Sequence, residues 1–206
     1  MKKIFVAGID TNAGKTLVAA ILVEALEADY WKPVQAGDLD NSDTMKVQGL
    51  VTNTKSKFHP EQFRLSIPMS PHVAARRDGL GITLSDFTCP ATTNRLIVEG
   101  AGGLMSPLND NTFVIDLVKT LDVEVVLVSR NYLGSINHTL LSAMALKHHN
   151  VKVKGIIFNG EPMEGTEEII LSETGYRMLG RIDEEEVIDK NVVARYAADY
   201  HFLLDE

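Results

Sequence analysis

Nine consecutive residues near the start of the chain carry the clearest chemistry: Gly8-Ile9-Asp10-Thr11-Asn12-Ala13-Gly14-Lys15-Thr16. An anionic phosphate needs many backbone N–H donors within a small radius, and a tight turn leading into a helix N-terminus supplies them. Gly14 lets the backbone approach closely, the Lys15 ammonium reaches the β- and γ-phosphates, and Thr16 offers a hydroxyl to Mg²⁺. The strict form of this motif places its first glycine at position 9, which is Ile9, whereas the glycine here stands one place earlier. A bare Gly-Lys-Thr also arises by chance. The motif gains meaning because an apolar run ends at Gly8 and a helical pattern opens at Gly14.

Other candidates lie where apolar runs end, because ligands of open α/β sheets collect outside the carboxyl ends of the strands. Lys32, in Lys32-Pro33-Val34-Gln35-Ala36-Gly37, either reaches a transferred phosphoryl group or is a solvated lysine at a sheet edge. Asp43 either ligates Mg²⁺ or caps a helix starting at Thr44. Glu99 follows Leu96-Ile97-Val98 and precedes Gly100-Ala101-Gly102-Gly103, the place where a metal-holding carboxylate is expected; a turn glutamate is the plainer reading. Mg²⁺ uses one or two carboxylates and completes its shell with water and phosphate oxygens, a count that Thr16, Asp43 and Glu99 meet.

Three weaker signals follow. Ser70-Pro71-His72 reads as a helix start, with Ser70 as cap, whose N-terminus faces an anionic or polar substrate. Gly134-Ser135-Ile136-Asn137-His138-Thr139 opens another helix and offers a second anion site, suited to a carboxylate. Asn159 either pairs with a nucleobase edge or takes a left-handed turn before Gly160, and the turn is the simpler choice. Asp183-Glu184-Glu185-Glu186 reads as a solvated helix start. The histidines lack metal spacing, and Cys89 reads as inert.

The elements that must position these residues alternate. Strands are expected over Ile4–Ala7, Tyr30–Val34, Arg95–Glu99, Val123–Val128, Val153–Phe158 and, more weakly, Arg177–Ile182. Helices are expected over Thr16–Ala28, Phe113–Leu121, Ser135–His149, Glu164–Thr174 and Val192–Leu204. Gly37-Asp38 signals a turn. Glycine-bounded apolar strands alternating with helices imply βαβ units and a parallel sheet covered on both faces. Asn41–Thr93 is polar, carries Pro60, Pro68, Pro71 and Pro90, and is expected to hold short helices over the strand ends.

Composition narrows the function classes. The 206 residues are 45% hydrophobic, enough for one domain, 1–206, with a sizeable core. Formal net charge is −8, which argues against nonspecific nucleic-acid binding. One cysteine permits neither an internal disulfide nor a cysteine-rich zinc site. No apolar run approaches membrane-helix length. Met1-Lys2-Lys3-Ile4-Phe5-Val6-Ala7 looks like the start of a signal peptide, but the apolar stretch stops at Gly8-Ile9-Asp10. A soluble cytoplasmic protein with no membrane and no nucleic-acid partner is expected.

Taken together, five motifs resemble the dethiobiotin synthetase family, ATP-dependent carboxylases of biotin synthesis, over about Gly8 to Ile182. They are Gly8-Ile9-Asp10-Thr11-x-x-Gly14-Lys15-Thr16, Lys32-Pro33-Val34-Gln35, Ser70-Pro71-His72, Glu99-Gly100-Ala101-Gly102-Gly103 and Leu133-Gly134-Ser135-Ile136-Asn137-His138-Thr139. The resemblance implies an α/β fold of the P-loop NTPase type, a single-domain, mostly parallel β-sheet with helices on both faces. It implies that 7,8-diaminononanoate and CO₂ form a carbamate, that ATP phosphorylates it to a carbamic-phosphoric anhydride, and that the second amine closes a cyclic urea. ATP and Mg²⁺ are the implied cofactors. Lys32, Lys15 and Thr11 would act in catalysis, and Asn12, Ala13, Gly14, Lys15, Thr16, Leu17 and Asn159 would hold the nucleotide. Thr16, Asp43 and Glu99 match the metal positions. Thr11, Lys32, Ala36, Ser70, Gly102, Gly134, Ser135 and Asn137 match substrate positions, the last three from a neighbouring subunit, which implies a homodimer with shared active sites.

Three residues depart from the family pattern. Ala36 replaces a serine or threonine that touches the diamine, Ile9 replaces a frequent threonine, and Asp183 replaces a proline near the base. Ala36 keeps open a paralogue acting on another diamine. A positioning or partition ATPase, the main rival, would carry a signature lysine near Asp10, which this chain lacks. A cobyrinate-type amidotransferase would need a glutaminase domain, for which the length leaves no room.

Overall fold

The computed structural model describes residues 2–204. Met1, which begins the signal-like stretch, and Asp205 and Glu206, which end the expected domain, lie outside the described residues. In chain order the elements are β1 (Lys3–Gly8), α1 (Lys15–Leu26), β2 (Asp29–Trp31), β3 (Val34–Ala36), α2 (Asp43–Leu50), β4 (Phe58–His59), β5 (Phe63–Leu65) and α3 (Pro71–Arg77). There follow β6 (Leu96–Gly103), α4 (Val114–Leu121), β7 (Glu124–Arg130), α5 (Ser135–His148), β8 (Val153–Asn159), α6 (Thr166–Thr174), β9 (Met178–Ile182) and α7 (Lys190–Ala198).

Seven strands form one sheet in the order β4-β2-β6-β1-β7-β8-β9, and every pair is parallel. Parallel pairing demands a crossover between neighbours, and helices supply it. The central strands are apolar on both faces: Phe5, Val6, Leu96, Ile97, Val98, Val125, Val126 and Leu127 are all buried. α1 packs against α2 and α7, and α5 packs against α6. α1 is apolar nearly all round, from Val18 to Leu26, as a helix wedged between a sheet and further helices must be. Among the described residues no helix is long and apolar enough to cross a membrane.

Several expected boundaries move. The strand expected over Tyr30–Val34 is broken at Lys32-Pro33: β2 stays in the main sheet, while β3 leaves it and pairs with β5 in a separate two-stranded sheet. Pro33 has no N–H for a ladder, and its carbonyl instead accepts from Phe63 N at 2.9 Å. The strand expected to end at Glu99 continues through the glycines to Gly103, which registers with Gly8 of β1. Gly100 is required there, since a Cβ would sit 2.8 Å from the Phe5 ring. The stretch 41–93 holds α2 and α3, as expected, and also β4 and β5, which its polar composition hid.

The acidic run 183–186 is not a helix start. Asp189 caps α7 instead, accepting from Asn191 N and Val192 N at 2.9 Å each. The helix expected over Val192–Leu204 ends at Ala198 and gives way to a 3-10 turn, His201–Leu204. Tyr200, 1% exposed, breaks the run by turning its ring against Gly180, a position where a Cβ would meet the phenol oxygen at 2.4 Å.

Candidate active site

The carboxyl ends of β1, β6 and β7 open into one cleft of about 750 Å³. Its lining includes Thr11, Asn12, Gly14, Lys15 and Thr16 from the loop after β1, and Lys32, Val34, Gln35 and Ala36 from the β2–β3 break. Asp43 of α2, Ser70 and Pro71 at the start of α3, Glu99 and Gly102 of β6, Ser106 and Arg130 complete it. Residues from Thr11 to Arg130 thus meet in one place, as the strand-end rule for open sheets requires.

The loop folds tightly over Gly8. A Cβ on Gly8 would lie 2.8 Å from Asp10 O and 2.9 Å from Ala13 Cβ. Gly8 therefore does the work the strict motif assigns one residue later, and Ile9, 9% exposed, packs into the core. Gly14, at φ +95°, is the N-cap of α1, and a side chain there would strike Asn159 Nδ2 at 2.2 Å. Asn159 donates from Nδ2 to Ala13 O at 2.9 Å, so the end of β8 clamps the loop. The left-handed turn expected of Asn159 falls on Gly160, at φ +93°, and Asn159 itself stays in the strand. Lys15 Nζ curls back over the loop, donating to Asp10 O at 2.8 Å and Thr11 O at 3.2 Å. Leu17 packs, half-buried, against the core.

Glu99, 1% exposed, is the hub of the cleft floor. Its Oε1 accepts from Thr16 Oγ1 at 2.9 Å and Lys32 Nζ at 2.8 Å, and its Oε2 accepts from Tyr30 Oη at 2.7 Å. Lys32 also pairs with Asp43 Oδ2 at 2.7 Å. Lys32 is thus buried between two carboxylates, which rules out the alternative of a solvated edge lysine; β4 and β9 are the sheet edges. The alternative of Asp43 as a helix cap is likewise ruled out. Ser42 is the N-cap of α2, accepting from Met45 N, while Asp43 opens the helix and donates its own N–H to Gln35 Oε1 at 3.1 Å.

These contacts set the charge states. Burial, followed by the charge of Lys32, pushes the Lys15 ammonium down to about 8. Burial also opposes the charge on Lys32, but the Glu99 and Asp43 carboxylates outweigh it and raise the pKa. For Asp43, burial is overcome by the Lys32 charge, which holds the carboxyl below its ordinary range. Burial, then the charge of Glu99, lifts the Tyr30 phenol well above its usual value, so it serves Glu99 as a donor.

The oxygen donors of Thr16, Asp43 and Glu99 suit a hard cation. Among the described residues there is no group of three or more His, Cys, Asp and Glu side chains that would hold a metal unaided. A hydroxyl and two carboxylates are a donor set that would suit Mg²⁺, which takes one or two carboxylates and completes its shell with water and phosphate oxygens.

Other expected residues differ in placement. Thr11 and Gly102 face each other, with a Cβ on Gly102 3.8 Å from Thr11 Oγ1. Ala36 lines the wall. Ser70 occupies the N-cap position of α3, but its side chain makes no capping bond. Gly134, Ser135 and Asn137 do not line the cleft of their own chain. Ser135 is buried with Oγ unpartnered, and its N–H is used by Tyr132 O. Asp183, where the pattern has proline, donates its N–H to Tyr196 Oη at 3.0 Å, a bond proline would forgo.

Sequence reasoning missed Tyr30, Gln35, Ser106 and Arg130. Tyr30 and Gln35 carry no local signal apart from Glu99 and Asp43. Arg130 does carry one, since a charged residue ending an apolar strand is the same cue that marks Glu99.

A family model described as an AAA domain matches residues 2–192. The chain is 52% identical over 198 residues to the ATP-dependent dethiobiotin synthetase BioD of Cytophaga hutchinsonii, covering 96% of each chain. It is 49% identical over 205 residues to that of Christiangramia forsetii, covering 100% of this chain and 99% of the relative. Among solved structures, the MinC:MinD cell division protein complex of Aquifex aeolicus aligns with a TM-score of 0.61 at 13% identity, covering 100% of this chain and 97% of the other. A ParA family ATPase of Chlorobium tepidum aligns at 0.55 and 13%, covering 96% and 98%. These two likenesses show the P-loop fold alone. With half of its residues shared over nearly its full length, this chain belongs to the ATP-dependent dethiobiotin synthetase family.

Proposed function

We propose that this chain carries out the ATP-dependent closure of 7,8-diaminononanoate and CO₂ to dethiobiotin, ADP and phosphate, in biotin biosynthesis. The observation that carries the reading is the meeting of Lys15, Lys32, Thr16, Asp43 and Glu99 in one cleft, in a chain of this family. One amine takes up CO₂ and loses a proton, giving a carbamate. A carbamate oxygen attacks the γ-phosphorus and ADP leaves, so the carbamate becomes a carbamic-phosphoric anhydride. The second amine attacks its carbonyl carbon, phosphate departs with the C–O electron pair, and the nitrogen's proton is released as the urea closes.

Carbamate and γ-phosphate are both anions and repel each other until cations intervene. In-line phosphoryl transfer depends on positioning and charge neutralisation, which buried cations supply at low reorganisation cost. Lys15 would leave its two loop carbonyls for the phosphates, and Lys32, held charged by Glu99 and Asp43, would face the carbamate. Mg²⁺, held by Thr16, Asp43 and Glu99, would neutralise phosphate charge. Thr11 would bond the carbamate or the phosphate across from Gly102, and Asn159 would meet the base. Ala36 and Ser70 would border the diamine.

The same reading makes the enzyme a cytoplasmic homodimer whose Gly134, Ser135 and Asn137 serve the neighbour's cleft. Asn137, Leu141 and Met144 fall on one stripe of α5, and Leu141 and Met144 are 55% and 65% exposed. Sedimentation of a Leu141→Glu, Met144→Glu variant tests this. A monomer without turnover is expected, and a fully active monomer refutes the shared site.

The decisive experiment supplies ATP, Mg²⁺, bicarbonate and 7,8-diaminononanoate and reads ADP and product mass together. Diamine-dependent ADP release with a cyclic urea product is the expected result. ATP turnover indifferent to the diamine refutes the substrate and directs the search to other diamines, for which Ala36 is the first residue to examine.

A further inference from the structure

Arg130 ends β7 and lines the cleft, yet among the described residues it has no hydrogen-bonding or ion-pair partner. The other cleft cations are engaged. Lys32 sits between Glu99 and Asp43, and Lys15 is bonded to two loop carbonyls. Arg130 is exposed, so a charge with five donors stands uncommitted at the mouth of the site.

Two independent observations give its direction. Along a strand, successive side chains alternate between the faces. Ser129 Oγ bonds Thr139 Oγ1 of α5 at 2.7 Å, so Ser129 points to the α5 face and Arg130 to the opposite one. Arg130 also registers with Asn159 of the adjacent parallel strand, and registered neighbours share a face. Asn159 reaches Ala13 O, which makes that face the one carrying the phosphate loop. Next to it, Val128 O accepts from Ile9 N at 3.1 Å, tying the end of β7 to the loop's first residue.

We propose that Arg130 is a nucleotide-binding residue that contacts the phosphates held by the Gly8–Thr16 loop, adding a planar, permanently charged fork to the charge of Lys15. This rests on the nucleotide part of the proposed function and is independent of the diamine. The ligand class is a nucleoside di- or triphosphate. The substrate carboxylate is the competing anion, and the diamine KM separates the two.

The test is calorimetric titration of the full-length protein with ADP and Mg²⁺, no diamine present, for wild type, Arg130→Ala and Arg130→Lys. Loss of a charge-assisted hydrogen bond corresponds to about 10- to 100-fold weaker binding for Arg130→Ala. Arg130→Lys should recover part of this, because it keeps the charge without the fork. In turnover, the KM for ATP should rise while the KM for 7,8-diaminononanoate holds. Unchanged ADP affinity in a folded Arg130→Ala variant overturns the proposal. So does a rise confined to the diamine KM, which would hand Arg130 to the substrate carboxylate. If wild type shows no diamine-dependent turnover at all, the binding arm still decides Arg130 and the failure belongs to the substrate reading.

Discussion

The floor and the wall of the cleft are built by different means. The floor is the loop 8–16 with Glu99, Lys32 and Tyr30; the last three are buried, and Thr16, Lys32 and Tyr30 are joined by hydrogen bonds of 2.7–2.9 Å around the Glu99 carboxylate. The wall is β3, β5 and the start of α3, a two-stranded sheet that departs from the main one at Pro33. The floor holds groups whose chemistry any phosphoryl transfer needs. The wall presents Val34, Ala36, Pro68, Met69 and Ser70, mostly small or apolar groups with no charge to transfer. Under the proposed function, reaction type would reside on the floor and substrate choice on the wall, so the two should fail separately under mutation.

The largest effect should come from the floor. Lys15→Ala should reduce turnover by about 10²–10³-fold or more, the loss typical of removing one positioned transition-state donor. Folding should persist, because Lys15 Nζ bonds only two carbonyls of its own loop. Circular dichroism and a steady-state assay check both halves, and near-normal turnover in a folded variant would break the floor assignment. Glu99→Gln should come next. It removes the negative charge between Thr16, Lys32 and Tyr30 and replaces one of the two acceptor oxygens with a donor, and should move the Mg²⁺ titration of turnover upward by about tenfold or more. A wild-type titration in that variant would remove Glu99 from the metal site.

The floor was also the legible part of the sequence, for a physical reason. Its motif is nine contiguous residues whose backbone does the binding, so spacing alone exposes it. The one-residue offset of the first glycine is explained by contact, since the loop collapses on Gly8 and leaves Ile9 to the core. Glu99 is visible as a carboxylate that breaks an apolar run. Lys32 is harder, because what separates a buried cation from an edge lysine is Glu99, 67 positions away. Asp43 shows a further limit. Ser42 and Asp43 both suit a cap, and the choice is made by Gln35, whose side chain takes the Asp43 N–H. β5 in the wall and β4 at the edge of the main sheet were least legible. β4 and β5 are two and three residues long, and they exist because partners from β2 and β3 pair with them, which no local pattern encodes.

A smaller effect should come from the wall. Ala36→Ser introduces a hydroxyl in a cleft-lining position of β3. A neutral hydrogen bond contributes about 0.5–1.5 kcal/mol, so the KM for the diamine should fall by about 2- to 12-fold while the KM for ATP stays put. A change in the ATP KM alone would show that wall and floor are not separable at this point.

The smallest effect tests the seam on which the wall hangs. Asp29 of β2 is buried beside the edge strand and accepts from Lys57 N, Asn94 Nδ2 and His59 Nε2 at 3.0–3.1 Å. Burial pushes its pKa up, but hydrogen bonds from Thr92, Lys57, His59 and Asn94 outweigh this and hold it below its ordinary value. A carboxyl depressed by folding contributes stability above its unfolded pKa of about 3.9, and that contribution is lost as pH falls through the lower, folded value. Asp29→Asn should therefore lower the urea midpoint at pH 7, and the gap from wild type should narrow as pH drops below about 4. Turnover at pH 7 and 25 °C should barely change, because Asp29 does not line the cleft and its side chain bonds Lys57, His59 and Asn94. A gap independent of pH would mean that packing, and not the carboxylate's hydrogen bonds, holds the seam. A large loss of turnover would mean that the position of Lys32, three residues on, depends on this edge, and the wall and floor would then be mechanically one.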